Sequence, residues 1–209
     1  MGTETMASNA KSLHGKDLHR RNLYEADLRD ADLTDADLSR ADLSRADLTR
    51  ADLSRADLTH AKLTDVDLTH AKLVHADLTD ANLSDANLTH ADLTHADLTD
   101  ADLTRADLIR ANLTDANLTD ANLTHAKLIH TNLTRAKLIH ANFTRAKLIQ
   151  IVLTNADLTD ANLTQATVID ADFTNATVTG AHFDDYDELA KDATLNGVAF
   201  ERARFGGVK

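Results

Sequence analysis

Every fifth residue from Leu13 to Phe183 is Leu, Phe or Val, and no insertion breaks the series. The centres that are not Leu are Phe143, Val168, Phe173, Val178 and Phe183. Two residues before each centre stands Ala, from Ala26 to Ala181, interrupted at Val66, Thr131 and Ile151. The unit reads A-(D/N/K)-L-(T/S/I)-x. Internal repetition of this kind decides a fold before local propensity does.

A period of five suits neither common element. On an α-helix, five steps rotate the centre by roughly 140°, so the Leu side chains would spiral over every face. On a flat strand five is odd, so successive Leu would point to opposite faces. Both arrangements expose half of the Leu. All are buried together only if the chain turns the same way at each unit, so that every centre points to one axis. Small Ala beside large Leu then fills the interior without voids. Hydrogen bonds between successive coils satisfy the backbone.

The units Ala31–Asp35 (A-D-L-T-D), Ala36–Arg40 (A-D-L-S-R) and Ala86–His90 (A-N-L-T-H) resemble the pentapeptide-repeat family, over roughly residues 12–183. The resemblance implies an all-β fold, a right-handed quadrilateral parallel β-helix with four units to a coil. It gives a solenoid of about nine coils of about 20 residues, stacked as parallel ladders about 4.8 Å apart. It also implies that the centre and the Ala position point inward and the other three positions outward.

The ends depart from the repeat. Residues 1–10 are expected as a disordered tail, 11–183 as the β-helix, 184–194 as a short helix or loop excursion, and 195–209 as terminal repeats and tail. Lys11, Lys16 and Arg21 fall on the inward Ala position of the first units. Burying an unpaired cation is costly, so an open first coil is expected, with these stems snorkelling outward. Between Phe183 and Leu195 the spacing of centres lengthens once. There Tyr186, Leu189, Ala190 and Ala193 are spaced as on one helix face, and Asp residues precede them, as suits a helix N-terminus. Val198-Ala199-Phe200 and Ala203-Arg204-Phe205 then resume the pattern.

Composition narrows the chemistry. The chain of 209 residues carries 22 Lys+Arg against 34 Asp+Glu, a net charge of −12, and has no Cys, Pro or Trp. Disulfides, thiolate metal sites and a cysteine nucleophile are therefore excluded. The acidic balance argues against direct nucleic-acid binding through a basic footprint. No apolar run approaches a membrane span, and the polar stretch Met1–Lys11 gives no secretory h-region, so a cytoplasmic chain without membrane contact is expected. Walker, dinucleotide, H-E-x-x-H and G-x-S-x-G motifs are absent, so no catalytic residue, metal or cofactor is expected. Stacked His pairs, His70 with His90 and His75 with His95, make metal bridging geometrically conceivable. A polar outward position alternating among Asp, Arg, His and Asn accounts for them more simply.

Residues 20 apart share a face. On the face centred on Leu18, the first outward position carries Asp17, Asp37, Asp57, Asp77, Asp97, Asn117, Lys137 and Asp157. The last outward position carries Arg20, Arg40, His60, Asp80, Asp100, Asp120, His140 and Asp160. These are ten carboxylates against three bases, whereas the Leu23 face holds five against four. Stacked carboxylates about 5 Å apart repel by roughly 1 kcal/mol per pair in water, so this arrangement contributes nothing to folding. It is either used for binding or inherited from duplication of an A-D-L unit.

Two features break the pattern along the axis. Between Ala121 and Ala156 there is no acid, and Lys127, Arg135, Lys137, Arg145 and Lys147 form a basic band. Ile109, Ile129, Ile149 and Ile169 replace Thr or Ser at one outward position, each 20 residues apart, with Val152 around the corner. β-Branched residues suit a ladder, yet a contiguous apolar stripe also marks a contact surface.

Two functions are expected. The first is a non-catalytic binding protein that imitates DNA. Nine coils make a rod of roughly 40 Å, the length of about 12 base pairs. The resemblance extends to the quinolone-resistance and toxin-immunity branch of the family, whose members bind DNA gyrase or topoisomerase IV as DNA mimics. That implies a protein partner, reached here through Asp17, Asp37, Asp57, Asp77, Asp97, Asp80, Asp100 and Asp120. Members of that branch generally dimerise through a C-terminal element and often carry a protruding loop, which the uninterrupted repeats here lack. The second is a structural scaffold or interaction rod of unknown partner, which uses the Ile ladder, including for a homodimer.

Overall fold

A computed structural model describes residues 12–205. The tail expected at 1–10, the inward position of Lys11 and residues 206–209 lie outside the described residues. The chain coils as a right-handed parallel β-helix in which the residue before each centre pairs with the one 20 positions on, as in Asp77↔Asp97 and Asp97↔Asn117, a spacing that becomes 22 across α1, as in Thr177↔Ala199. Most pairings are single parallel bridges, because each side of the coil is only one unit long.

One unit shows how its backbone is satisfied. Leu98 N donates to Asn117 O of the next coil at 2.7 Å, and Asp100 N donates to Thr119 O at 3.0 Å. Asp97 N donates to Ala76 O of the previous coil at 3.0 Å. Ala101 N closes a turn on Leu98 O at 3.1 Å. The remaining donor, Thr99 N, is bound by the Asp97 side chain at 3.0 Å. Every N–H of the unit therefore has a partner, as burial of the backbone requires.

The turn at each corner puts the x residue at positive φ, as at Arg40 (φ 59°), His90 (φ 61°) and Asp100 (φ 58°). Positive φ at the third turn position is what a type II turn demands. Gly takes this position at Gly15, Gly180 and Gly197, but elsewhere L-residues bear the steric cost.

The core is the column of centres and Ala residues. From Leu28 to Leu163 the centres are at most 2% exposed. Leu13, Leu18 and Leu23 are only partly buried, because no coil covers them from below among the described residues. Lys16 and Arg21 are exposed, so the first coil is open. Thr131 is buried at an Ala position, where its hydroxyl donates to Leu108 O at 2.7 Å.

Longer strands occur where the coil relaxes. On the Leu28 face β1 (Lys127–Ile129), β2 (Lys147–Ile149) and β3 (Thr167–Ile169) form a three-stranded parallel sheet in the order β1-β2-β3. The units they belong to make no turn bond to Thr131, Ile151 or Ala171. β4 (Ala171–Asp172) and β5 (His182–Phe183) follow. Helix α1 (Tyr186–Asp192) then takes the place of one unit on the Leu28 face, capped by Asp185, whose side chain accepts from Asp187 N. After it the chain rejoins the stack: β6 (Ala193–Thr194) pairs with β4, and β7 (Arg204–Phe205) pairs with β5. Phe183 stacks on Phe205 at 5.5 Å, so large rings fill this end. Among the described residues no helix is long and apolar enough to cross a membrane.

Candidate functional site: the acidic face and its opposite

The Leu18 face is assembled from two columns. In the first, each carboxylate does structural work. Asp37 Oδ1 accepts from Ser39 N at 3.0 Å, and Asp57 and Asp97 hold Thr59 and Thr99 in the same way. Asp17 and Asp77 accept from His19 N and Thr79 N, both at 3.0 Å. These are Asx turns, in which a side chain replaces a backbone acceptor. The Ser39 hydroxyl, with its N–H, holds the Asp37 carboxyl below the usual carboxylate range. One oxygen of each carboxylate is thereby committed inward to its own turn.

In the second column, Asp80, Asp100 and Asp120 stand at the positive-φ corner and are exposed. Histidines bracket them: His60 lies 3.5 Å from Asp80, and His140 lies 3.1 Å from Asp120 and 3.8 Å from Asp160. The structure thus brings together all eight candidate carboxylates on one side of the rod, from Asp17 in the first coil to Asp120 in the sixth.

On each of the other three faces Arg and Lys reach carboxylates across coils. Arg45 reaches Glu25, Arg105 reaches Asp85 and Lys62 reaches Asp42 on the Leu23 face. Arg50 pairs with Asp30, and Lys127 with Asp107, on the Leu28 face. Arg55 pairs with Asp35, Lys72 with Asp52 and Arg135 with Asp115 on the fourth. Among the described residues no Arg or Lys pairs with a carboxylate of the Leu18 face. The basic band is itself partly neutralised, since Lys127 and Arg135 reach down to the coil below.

The apolar ladder lies on the Leu28 face, two corners from the acidic one and so on the opposite side. Ile129↔Ile149↔Ile169 are in register, with Ile109 one coil below Ile129. Ile109, Ile129 and Ile149 are half-buried, Ile169 is 39% exposed and Val152 36%. Part of the ladder has a local cause that sequence reasoning missed. Lys127 and Lys147 replace the Asx-turn acceptor, so a hydroxyl two residues later would have no partner in its own turn and would depend on the next coil, as Thr64 after Lys62 does on Ser84 Oγ at 3.4 Å. Lys72-Leu73-Val74 and Lys137-Leu138-Ile139 repeat this coupling on other faces. Ile109, which follows Asp107, and Ile169, which follows Thr167, are not explained by it.

The histidine pairs stack as expected, His70 on His90 at 4.7 Å and His75 on His95 at 4.8 Å. Among the described residues no group of three or more His, Asp or Glu side chains is arranged to hold a metal.

The pentapeptide-repeat profile, described as Pentapeptide repeats (8 copies), matches residues 13–50, 22–59, 61–100, 81–120, 116–155 and 151–185. The chain belongs to the pentapeptide-repeat family. Solved pentapeptide-repeat proteins are similar to it. One is HetL, involved in heterocyst differentiation regulation in the cyanobacterium Nostoc sp. strain PCC 7120. It is 36% identical over 93% of this chain and 87% of its own, with a TM-score of 0.42. Another is full-length QnrB1, a plasmid-mediated fluoroquinolone resistance protein. It is 19% identical over 91% of both chains, with a TM-score of 0.50, a likeness of fold. Rfr23 from the cyanobacterium Cyanothece 51142 is 28% identical over 52% of this chain and 59% of its own, with a TM-score of 0.27. A comparison with curated proteins returned no match.

Proposed function

We propose that this pentapeptide-repeat chain is a non-catalytic binding protein whose Leu18 face imitates the charge of DNA. Its partner is the DNA-binding cleft of gyrase or topoisomerase IV, which places it in the cytoplasm. The observation that carries this reading is the partition of ion pairs. Arg and Lys neutralise carboxylates on three faces and leave the Leu18 face charged. An uncompensated column of carboxylates raises the local potential and steers a basic cleft toward it. The committed oxygens of Asp37, Asp57 and Asp97 fix those carboxylates in place, so they lose little freedom on binding.

The test is a gyrase supercoiling assay with the protein titrated in at low and moderate salt. QnrB1 is a fluoroquinolone resistance protein, so the assay is run with and without such a drug. Salt-sensitive inhibition or drug protection is expected, weakened by the triple variant Asp80→Lys, Asp100→Lys, Asp120→Lys. No effect at micromolar protein rejects the reading.

A second reading is favoured by the exposure of Ile169 on the opposite side and of Val152 around the corner from it. There the chain is a scaffold or interaction rod that associates, including with itself, through Ile109, Ile129, Ile149 and Ile169. Such association tolerates salt and is lost in Ile149→Asp, as sedimentation would report.

A further inference from the structure

The sheet on the Leu28 face ends abruptly at β3. Below it each strand is covered by the next: His130 N donates to Ile149 O, and Gln150 N to Ile169 O. From above, Lys147 N donates to Ala126 O, and Thr167 N to Ala146 O. The same register would place residues 187–189 over β3, taking bonds from Val168 N and Asp170 N and giving one to Ala166 O. Instead Asp187 N turns to the Asp185 side chain at 2.7 Å as α1 begins. Among the described residues Val168 N, Asp170 N and Ala166 O have no hydrogen-bond partner.

The displaced strand leaves a slot between β3 and α1. It is a cavity of about 300 Å³ whose apolar walls include Leu163, Val168, Phe183 and Leu189. Asp184, Asp185 and Asp192 also line it, and no basic side chain does. Asp170 stands at the end of β3. An unpaired strand edge beside an apolar pocket is the arrangement that takes up an extended peptide as an added strand.

We propose that this slot receives an extended peptide from a partner protein as a further parallel strand on β3. The peptide carries an aliphatic residue that enters the cavity and a basic residue immediately before it, which answers the surrounding carboxylates. The chain already contains that chemistry two and three coils below the slot, as Lys147-Leu148-Ile149 and Lys127-Leu128-Ile129. This site is separate from the Leu18 face and does not depend on the reading given to it.

The probe is a fluorescent, end-capped peptide Ala-Lys-Leu-Ile-His, titrated into the full chain and read by polarisation. In the repeat register the Lys N–H of the peptide faces Ala166 O, while the Leu N–H points away from β3. Saturable binding is expected. N-methylation at Lys should weaken it at least about tenfold, and N-methylation at Leu should leave it within about twofold. Replacing the peptide Lys with Glu should also weaken it, and Leu189→Trp, which fills the cavity, should abolish it. Amide exchange at Val168 and Asp170 should slow when the peptide is bound. Absence of saturable binding at millimolar peptide, or equal loss from the two N-methylated peptides, overturns the proposal. So does a stable dimer of the chain that leaves the slot inaccessible to the probe.

Discussion

Asn117 donates from Nδ2 to Asp97 Oδ1 at 3.2 Å and to Thr99 Oγ1 at 2.8 Å, clasping the Asx turn of the coil beneath it. The same grip recurs from Asn112 to Thr94, Asn122 to Thr104 and Asn132 to Thr114. Asparagine here lends the stack a cross-coil donor, which aspartate at the same position cannot supply.

Asn112→Asp should therefore be disproportionately harmful for so small a change, because Asn132 and not a cation stands above it. It removes the donor that reaches Asp92 and Thr94, costing about 1 kcal/mol, and sets a carboxylate one rung above Asp92, costing roughly 1 kcal/mol more in water. Urea denaturation at low and high salt should show a loss of about 2 kcal/mol that shrinks as salt rises. A loss independent of salt would leave only the hydrogen-bond part.

Leu98 is fully buried at the middle of the rod. Leu98→Ala should cost about 2–5 kcal/mol through the cavity it leaves. The neighbouring Thr99 gives a contrast, since its Oγ1 donates to Asp97 Oδ1 at 2.5 Å. Thr99→Ser keeps the donor and should stay within about 0.5 kcal/mol of the parent, while Thr99→Val should lose about 1 kcal/mol. Melting of the three variants side by side checks the order.

At the corners the backbone, not the side chain, sets the constraint. Arg40 has φ 59° and, among the described residues, no ion pair. Arg40→Val places a β-branched residue in the left-handed region and should destabilise by about 1–3 kcal/mol. Arg40→Asn, which tolerates that region, should be close to neutral. Equal effects of the two in chemical denaturation would argue against a strained corner.

Acid should loosen the Asx turns. The Thr174 hydroxyl, with its N–H, holds the Asp172 carboxyl below its ordinary value, and Thr34 acts likewise on Asp32. A depressed folded-state pKa contributes stability that is present above the unfolded value, near 4, and lost as pH falls through the folded value. Asp172→Asn keeps an acceptor but cannot titrate. The stability difference between parent and variant should stay constant from pH 7 to about 5 and shrink below about 4. A constant difference down to pH 2 would contradict the shift.

The core was legible in the sequence because burial leaves few choices: a centre must be Leu, Val or Phe, and its neighbour must be small. Face assignment followed from the spacing of 20, and the stacking of His70 on His90 shows how closely that counting serves. The corners were not legible. Arg, His and Asp fill most positions that the backbone holds at positive φ, and few, such as Gly15, Gly180, Gly197, Asn155 and Asn175, carry the usual signature. The Asp17–Asp97 column reads in the sequence as surface charge alone. Its spacing of two to Ser39, Thr59 or Thr99 is an Asx-turn signal that could have disclosed the structural use. Which carboxylates are neutralised depended on the order of Arg, Lys and Asp along each column, and only stacking the coils made that order plain.

A four-sided coil built from identical five-residue steps also makes the surface a matter of phase. Deleting 20 residues from the middle of the rod would shorten it by one storey and leave every column above in line. Deleting five would turn everything downstream by one side, carrying Ile129 and Ile149 from the Leu28 face to the Leu23 face. Deleting ten would bring them over the acidic columns of Asp77 and Asp80, with the interior unchanged. In such a chain a single slipped repeat unit rewrites what the outside presents while the core registers no mutation at all.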